Sequence, residues 1–238
     1  MGLLDDCLQL LSAANTDAWL DILTGAANKL GYTRVLFGLK PGKDAPNAAA
    51  VVLGNFHQAW RRRYDAAGYA SVDPTVSHSF ASALPLIWVP ELYRNDAQRQ
   101  FAEEAAAAGL SHGLTLPIHG PQGQVGMLSL SCDAAPKGEY LAQVQASLGD
   151  AVLLRDYAMA SGASFLAATQ CARPHLTPRE REILSWAAFG KTSWEIGTIL
   201  GISEPAVEFH FKNIRRKLKV SSRRLAVARA MQLDLISP

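Results

Sequence analysis

At 238 residues the chain has room for two domains with cores of their own, and its 49% hydrophobic, 18% charged composition excludes a disordered polymer. The net charge of +2 conceals an uneven split: residues 171–238 hold 12 Lys+Arg against 6 Asp+Glu, and the preceding 170 residues hold 11 against 15. A basic tail on an acidic body suits a phosphate-bearing partner for the tail.

Two amphipathic helices are predicted between Leu3 and Leu30, broken near Asn15-Thr16-Asp17, where Asn15 or Thr16 caps the second and Gly31 ends it. The start, MGLLDDCLQLL, has two aspartates and no basic segment, unlike a secretory signal. Arg34–Leu39 and Ala49–Leu53 read as strands around the turn-rich PGKDAPN, the second centred on β-branched Val51 and Val52. Phe56 to about Tyr69 is predicted helical. The loop SVDP follows, with Asp73 forced extended by Pro74, then a helix over about Thr75–Ala81. After the short apolar run Leu86-Ile87-Trp88, an alanine-rich helix over Asn95–Ala108 closes at Gly109. Gly113–Ile118 and Gly126–Ser131 flank HGPQGQ as a β-hairpin, and a long helix is predicted over about Gly138–Ser161. Gly162 to Pro174 is rich in small residues and suits a linker.

The tail carries the strongest local signals. Thr177-Pro178-Arg179-Glu180 is a capping box with proline at the first helical position. Ile183, Leu184, Ala187 and Ala188 give that helix its apolar face, and Gly190 stops it. A short helix runs from about Thr192 to Leu200 and ends at Gly201. Ser203 then caps a third helix with Val207, His210, Phe211, Ile214 and Leu218 on one face. Helix, glycine turn, capped helix is a helix-turn-helix, whose second member enters the major groove. Lys212, Arg215, Arg216, Lys217, Lys219, Arg223 and Arg224 sit on or just after it, more cations than solubility requires. A last helix, about Arg223–Leu233, shows Leu225, Ala226, Arg229, Ala230 and Leu233 on one side, which suits either dimer packing or the domain's own core. The expected fold is therefore α+β: an α/β/α sandwich around an antiparallel sheet over 1–162, a linker over 163–174, and an all-α helix-turn-helix domain over 175–238.

In the first domain Trp60 and Tyr64 lie one helical turn apart and share a face, Asp73 sits fixed before proline, and Ser129 alternates with Leu128 and Leu130. With Trp88, Tyr93, Phe101 and Leu110 these residues suit a mostly apolar ligand with a polar head, or an ordinary aromatic core. The chain has no GxSxG, HExxH, Walker A or GxGxxG motif, so an enzyme is not expected. Cys7, Cys132 and Cys171 are widely spaced and form no CxxC, so neither disulfides nor zinc is expected, and a reducing cytoplasm fits. No apolar run reaches the length of a membrane span, and no membrane partner is expected. Two rivals remain: a phosphorylation-switched response regulator with the same tail, and a small-molecule hydrolase with a vestigial tail; Asp73, His78 and Ser129 can be strung into a triad on paper, but nothing in the sequence supports its geometry.

The stretches LFGL (36–39), AWRRRYDAAGYASVDPTVSH (59–78), AAAGLSHGLTLPIHG (106–120), LSLS (128–131) and GKTSWEI (190–196) resemble the LuxR family of quorum-sensing transcription factors, and the similarity spans nearly the whole chain. The resemblance implies an N-acyl-homoserine lactone as signal ligand and no other cofactor, with double-stranded operator DNA, a second copy of the chain and RNA polymerase as partners. By the same resemblance the Trp60 indole N–H donates to the lactone carbonyl, Asp73 accepts the amide N–H, and Thr75 and Ser129 complete the polar contacts. Tyr64, Trp88, Leu36, Gly38, Tyr93, Phe101, Leu110, Thr115 and Gly126 would wall the ring and acyl chain. The chain has Phe56 where the family usually has a tyrosine donating to the amide carbonyl, a loss of about 1 kcal/mol that Ser129 can offset. Met127 is bulky for a lining position and is expected to shorten the acyl tunnel. On the DNA side, Lys191, Thr192 and the second helix's N-terminus would touch phosphate. Glu204, Glu208, Lys212, Arg215 and Arg216 would form the outward face of the third helix, with Glu208 suited to cytosine N4 and Lys212 to guanine.

Overall fold

Five strands form one antiparallel sheet in the order β2-β1-β5-β4-β3, with β1 at Arg34–Lys40, β2 at Val51–Gly54, β3 at Leu86–Ile87, β4 at His112–His119 and β5 at Val125–Cys132. The computed structural model describes residues 2–132, 136–169, 176–233 and 235–236, in two units, 1–169 and 170–238. Strand alternation gives the sheet two different faces. Val35, Phe37 and Leu39 of β1, Leu114, Leu116 and Ile118 of β4, and Leu128 and Leu130 of β5 enter the main core. Helices α1 (Leu3–Leu11), α2 (Thr16–Lys29) and α6 (Lys137–Thr169) cover that face, contributing Leu10, Trp19, Leu23, Tyr140, Val144 and Leu154. Asn15 is the cap of α2, accepting from Ala18 N. The opposite face carries α3 (Gln58–Ala66), α4 (Pro74–Ala81) and α5 (Asp96–Ala107), with a smaller aromatic cluster of Trp60, Tyr69, Phe101 and Leu110. This is the α/β/α sandwich that the sequence predicts.

Two predicted elements change length. The helix expected over Phe56–Tyr69 ends at Ala66, because Gly68 takes a left-handed conformation (φ 65°) and a separate turn follows over Tyr69–Ser71. Helix α6 runs on to Thr169, through the first seven positions of the linker expected over 163–174; the remainder, 170–174, including Cys171, lies outside the described residues. The physical reason is packing. Gly162 lies against the Phe37 ring, where a Cβ would approach within 2.6 Å, so the small residue serves close contact and not chain flexibility.

The second unit holds α7 (Pro178–Ala188), α8 (Ser193–Leu200), α9 (Glu204–Leu218) and α10 (Arg223–Gln232). Reciprocal capping boxes, Thr177 with Glu180 and Thr192 with Glu195, start α7 and α8. Gly201 ends α8 in the left-handed region, and Gly197 lets the Ile202 carbonyl come within 2.7 Å of where a Cβ would stand. That close approach is the turn of the helix-turn-helix. Ile183, Leu184, Ile196, Val207, Phe211, Ile214 and Leu218 meet in one core, which Ala226 and Ala230 of α10 complete. The predicted side of the last helix is thus divided: its alanines belong to the domain's own core, while Leu225 is exposed. Of the face predicted for α9, His210 is only half-buried.

Candidate functional site

Between β1 and β5 on one side and α3 and α4 on the other lies a cavity of about 220 Å³. Helical spacing puts Trp60 and Tyr64 on its wall, with ring centroids 6.1 Å apart in an edge arrangement. Asp73 caps α4 from the position before Pro74, and the same cap aims it at the cavity. Its Oδ1 accepts from Thr75 N at 2.8 Å and its Oδ2 accepts from the Tyr64 hydroxyl at 3.0 Å. Burial pushes the Asp73 carboxyl above its usual range, against the lowering effect of the bonds from Thr75 and Tyr64. Burial and the Asp73 charge raise the Tyr64 phenol, which therefore stays a donor. The same two causes push Tyr93 up to about 12.

A second polar line runs across the sheet. The Trp88 indole donates to Thr115 Oγ1 at 2.8 Å, and Thr115 Oγ1 lies 3.0 Å from Ser129 Oγ. When Thr115 passes its own proton to Ser129, the Ser129 hydroxyl keeps a donor for the cavity. Trp88 is seated flat on Gly113, where a Cβ would meet the ring at 2.5 Å. Thr75 Oγ1 is turned to Met127 Sδ at 3.9 Å.

The cavity brings together Leu36, Gly38, Phe56, Trp60, Tyr64, Asp73, Thr75, Trp88, Gly126, Met127 and Ser129 from the residues singled out in the sequence. It does not bring Tyr93, Phe101, Leu110 or Thr115 to its surface. Phe101 and Leu110 are buried behind Trp60, with Tyr93 packed at 6.3 Å from Phe101, and Thr115 orients Trp88 and Ser129 from beneath. Gly126 has a different reason from the one expected. A Cβ there would come within 2.0 Å of the Gly38 carbonyl, so it permits strand approach, whereas a Cβ on Gly38 would meet only Leu36, at 3.9 Å. Lys40, Val52, Arg61, Val76 and Phe80 also line the cavity and escaped the sequence reading. For Lys40 the signal was present: Leu36, Gly38 and Lys40 are separated by two residues and share a strand face.

The triad suggested by Asp73, His78 and Ser129 is not assembled. His78 Nε2 bonds the Leu84 carbonyl, and the other two engage Thr75, Tyr64 and Thr115. Nor is the sheet that of a receiver domain, whose strands are parallel: among the described residues all pairings are antiparallel, and Asp5 and Asp6 lie in the first turn of α1.

In the second unit, Glu204, Glu208, Lys212 and Arg216 are exposed on α9, with Arg215 half-buried. Glu208 is not free: its Oε1 accepts from Ser193 Oγ at 2.5 Å, and Ser193 Oγ accepts from Arg223 at 2.9 Å. Arg223 in turn donates to the Lys191 carbonyl and lies 4.4 Å from the Phe211 ring centroid. This network ties α9 to the N-terminus of α8, where Thr192 is the cap and Lys191 pairs with Glu195 at 3.2 Å. Phe209, 63% exposed beside Lys212, has no place in the helix's apolar face and was not anticipated as a contact residue.

A cavity where Trp60, Asp73 and Ser129 converge in one unit, and a helix-turn-helix that exposes Lys212 and Arg216 on its second helix in the other, define a ligand-sensing transcription regulator. Residues 15–167 match the family described as autoinducer binding domain, and residues 174–230 match bacterial regulatory proteins of the luxR family. The chain belongs to the LuxR family of quorum-sensing regulators. It is 33% identical over 220 residues to the transcriptional activator protein VanR of Vibrio anguillarum, covering 92% of this chain and 90% of that one. With the quorum-sensing regulator RhlR of Pseudomonas aeruginosa it shares 31% over 220 residues, covering 90% and 88%. The crystal structure of Escherichia coli SdiA superimposes with a TM-score of 0.78 at 25% identity, covering 99% of this chain and 98% of SdiA; a second SdiA structure holds octanoyl-rac-glycerol. Among the described residues no helix is long and apolar enough to cross a membrane.

Proposed function

We propose that the chain is a cytoplasmic, non-enzymatic transcriptional activator that binds an N-acyl-homoserine lactone and then, as a homodimer, grips a two-fold operator and engages RNA polymerase. The observation that carries this reading is the convergence of a donor-only indole, Trp60, and a buried acceptor, Asp73, on one cavity whose wall between them is largely aromatic and aliphatic. The lactone carbonyl takes the Trp60 N–H, the amide N–H goes to Asp73, and the Ser129 hydroxyl reaches the amide carbonyl that Phe56 cannot serve. Ligand then completes the sensor's second core and raises the population of competent dimer.

Thermal melting of the full chain against lactones of graded acyl length tests this directly. One length class is expected to raise the Tm, since a ligand at 100 times its Kd adds about 2.7 kcal/mol. No shift with any lactone would overturn the ligand assignment. Met127 stands opposite Gly38 in the β1–β5 register and fills part of a cavity already below the roughly 300–1,000 Å³ of common ligand sites. Met127→Ala is therefore expected to move the preference to longer chains, read in the same melting panel.

For the DNA-binding unit, Glu208→Ala is expected to alter base preference at one operator position, because Ser193 and Arg223 hold that carboxylate in a fixed place. Arg216→Ala is expected to weaken all sequences alike and lower the salt slope by about 1, as loss of a phosphate contact would. Binding assays on operator variants at several salt concentrations separate the two.

A further inference from the structure

The end of the cavity away from the polar head is not apolar throughout. In the β1–β5 register Leu36 stands opposite Ser129 and Lys40 opposite Val125. Lys40 therefore lies four residues, about 13 Å, along the strand from the level of Ser129. It lines the cavity and is only 8% exposed. Its Nζ carries three donors. It donates to Asn47 Oδ1 at 3.2 Å and to the Lys43 carbonyl at 3.4 Å, both at or beyond the long limit for N–H···O bonds. The Phe80 ring centroid, another part of the cavity wall, is 5.1 Å away. None of the ion pairs among the described residues includes Lys40.

An ammonium is a strongly hydrated point charge, and burying one beside two neutral acceptors and a ring leaves it short of partners. A plain alkyl terminus would complete its desolvation and return nothing. An oxygen placed there would accept the remaining N–H. We propose that this cavity selects ligands whose acyl chain bears an oxygen acceptor at its far end, a hydroxyl or a carboxylate, held by Lys40. The proposal deepens the lactone reading but concerns the tail alone, so the two can fail separately.

The test is a set of octanoyl and decanoyl chains, plain, ω-hydroxylated and ω-carboxylated, each carried both on homoserine lactone and on glycerol, with affinities measured on the full-length protein and its Lys40→Met variant. The wild type is expected to favour oxygenated tails by about ten- to a hundredfold, and Lys40→Met to abolish or invert that ranking. Preference for ω-carboxy over ω-hydroxy tails identifies an anionic terminus, and the reverse a neutral one. A wild type that favours plain tails overturns the proposal. So does a Lys40→Met protein that melts lower yet keeps the tail ranking, because Lys40 would then only pin the segment 41–50. Failure of every lactone with a surviving tail preference in the glycerol series overturns the lactone head and keeps the tail assignment. Failure of all compounds in both series overturns both. Should Lys40→Met not fold, Lys40→Gln and the wild-type ranking decide.

Discussion

Asp73→Asn is expected to abolish most lactone binding while leaving the unliganded protein at least as stable as the wild type. Asparagine is as good an N-cap as aspartate, so α4 keeps its start through the bond from Thr75 N. Its amide nitrogen can face the Tyr64 hydroxyl, which accepts as readily as it donates. What changes is the face toward the ligand, where an N–H would meet the lactone amide N–H. Losing a charge-assisted hydrogen bond costs about 2–3 kcal/mol, roughly 30- to 150-fold in affinity, and the opposed donors add to it. Stability moves the other way. Burial raises the folded Asp73 carboxyl, so the folded state holds its proton more tightly than the unfolded chain does. Ionising it at neutral pH then works against folding, and that penalty disappears as pH falls below both values. The stability gain of Asp73→Asn should follow it and vanish in acid. In the proposed binding mode the ligand amide meets the ionised carboxylate, so binding is expected to fail on acidification at a higher pH than an ordinary carboxylate would require. Calorimetric titrations and melts across pH read all three expectations.

The largest stability effect is expected from Lys217→Met. Glu180 is 3% exposed within α7, where it accepts from Lys217 Nζ at 2.6 Å and from the Thr177 backbone at 2.7 Å. Burial alone would raise its carboxyl, but the bonds from Lys217 and Thr177 outweigh burial and hold it below the usual glutamate range. Removing Lys217 leaves a largely buried carboxylate with only its capping bonds; because the Lys217 side chain is 28% exposed, water screens part of the pair and the loss is about 1–2 kcal/mol. In a unit of this size that lowers the melting transition by roughly 5–15 °C. Because the folded value is depressed, the stabilisation is complete above the unfolded value and lost as pH falls through the folded one. The gap between wild type and variant should therefore close in acid. Scanning calorimetry of the full chain at neutral and low pH checks it, and an unchanged gap would count against the pair as its source.

How much could be read from the sequence depended on how far apart the interacting groups stand along the chain. Thr177 with Glu180, Asn15 before α2 and Ser203 before α9 each act over three residues. Such caps declare themselves in the sequence, and Thr177 and Ser203, with Gly190 and Gly201, marked out the helix-turn-helix; the equally local box of Thr192 with Glu195 went unread. Trp60 and Tyr64, one turn apart, and Asp73, fixed before Pro74, were legible for the same reason. Period-two alternation assigned Ser129 to the face opposite Leu128 and Leu130, and the register confirms the division.

What the sequence left open concerns groups that only folding brings together. Phe101 and Leu110 are as apolar as the residues that line the cavity, and only the tertiary packing gathers them with Tyr69 and Ala105 into the cluster behind Trp60, with Tyr93 packed against it. Gly126 lines the cavity but is glycine because β1 passes against it. Glu208 looked free until Arg223, fifteen residues on, reached Ser193 beside it. Gly162 looked like the start of a linker and proved to be the notch that seats α6 on Phe37. The sequence by itself determined where helices and strands begin, stop and turn their apolar sides, because hydrogen bonds over a few residues and backbone sterics decide that locally. Only the tertiary structure decided which side faces the ligand, which the core and which another helix, because close packing between distant segments allows each surface a single neighbour.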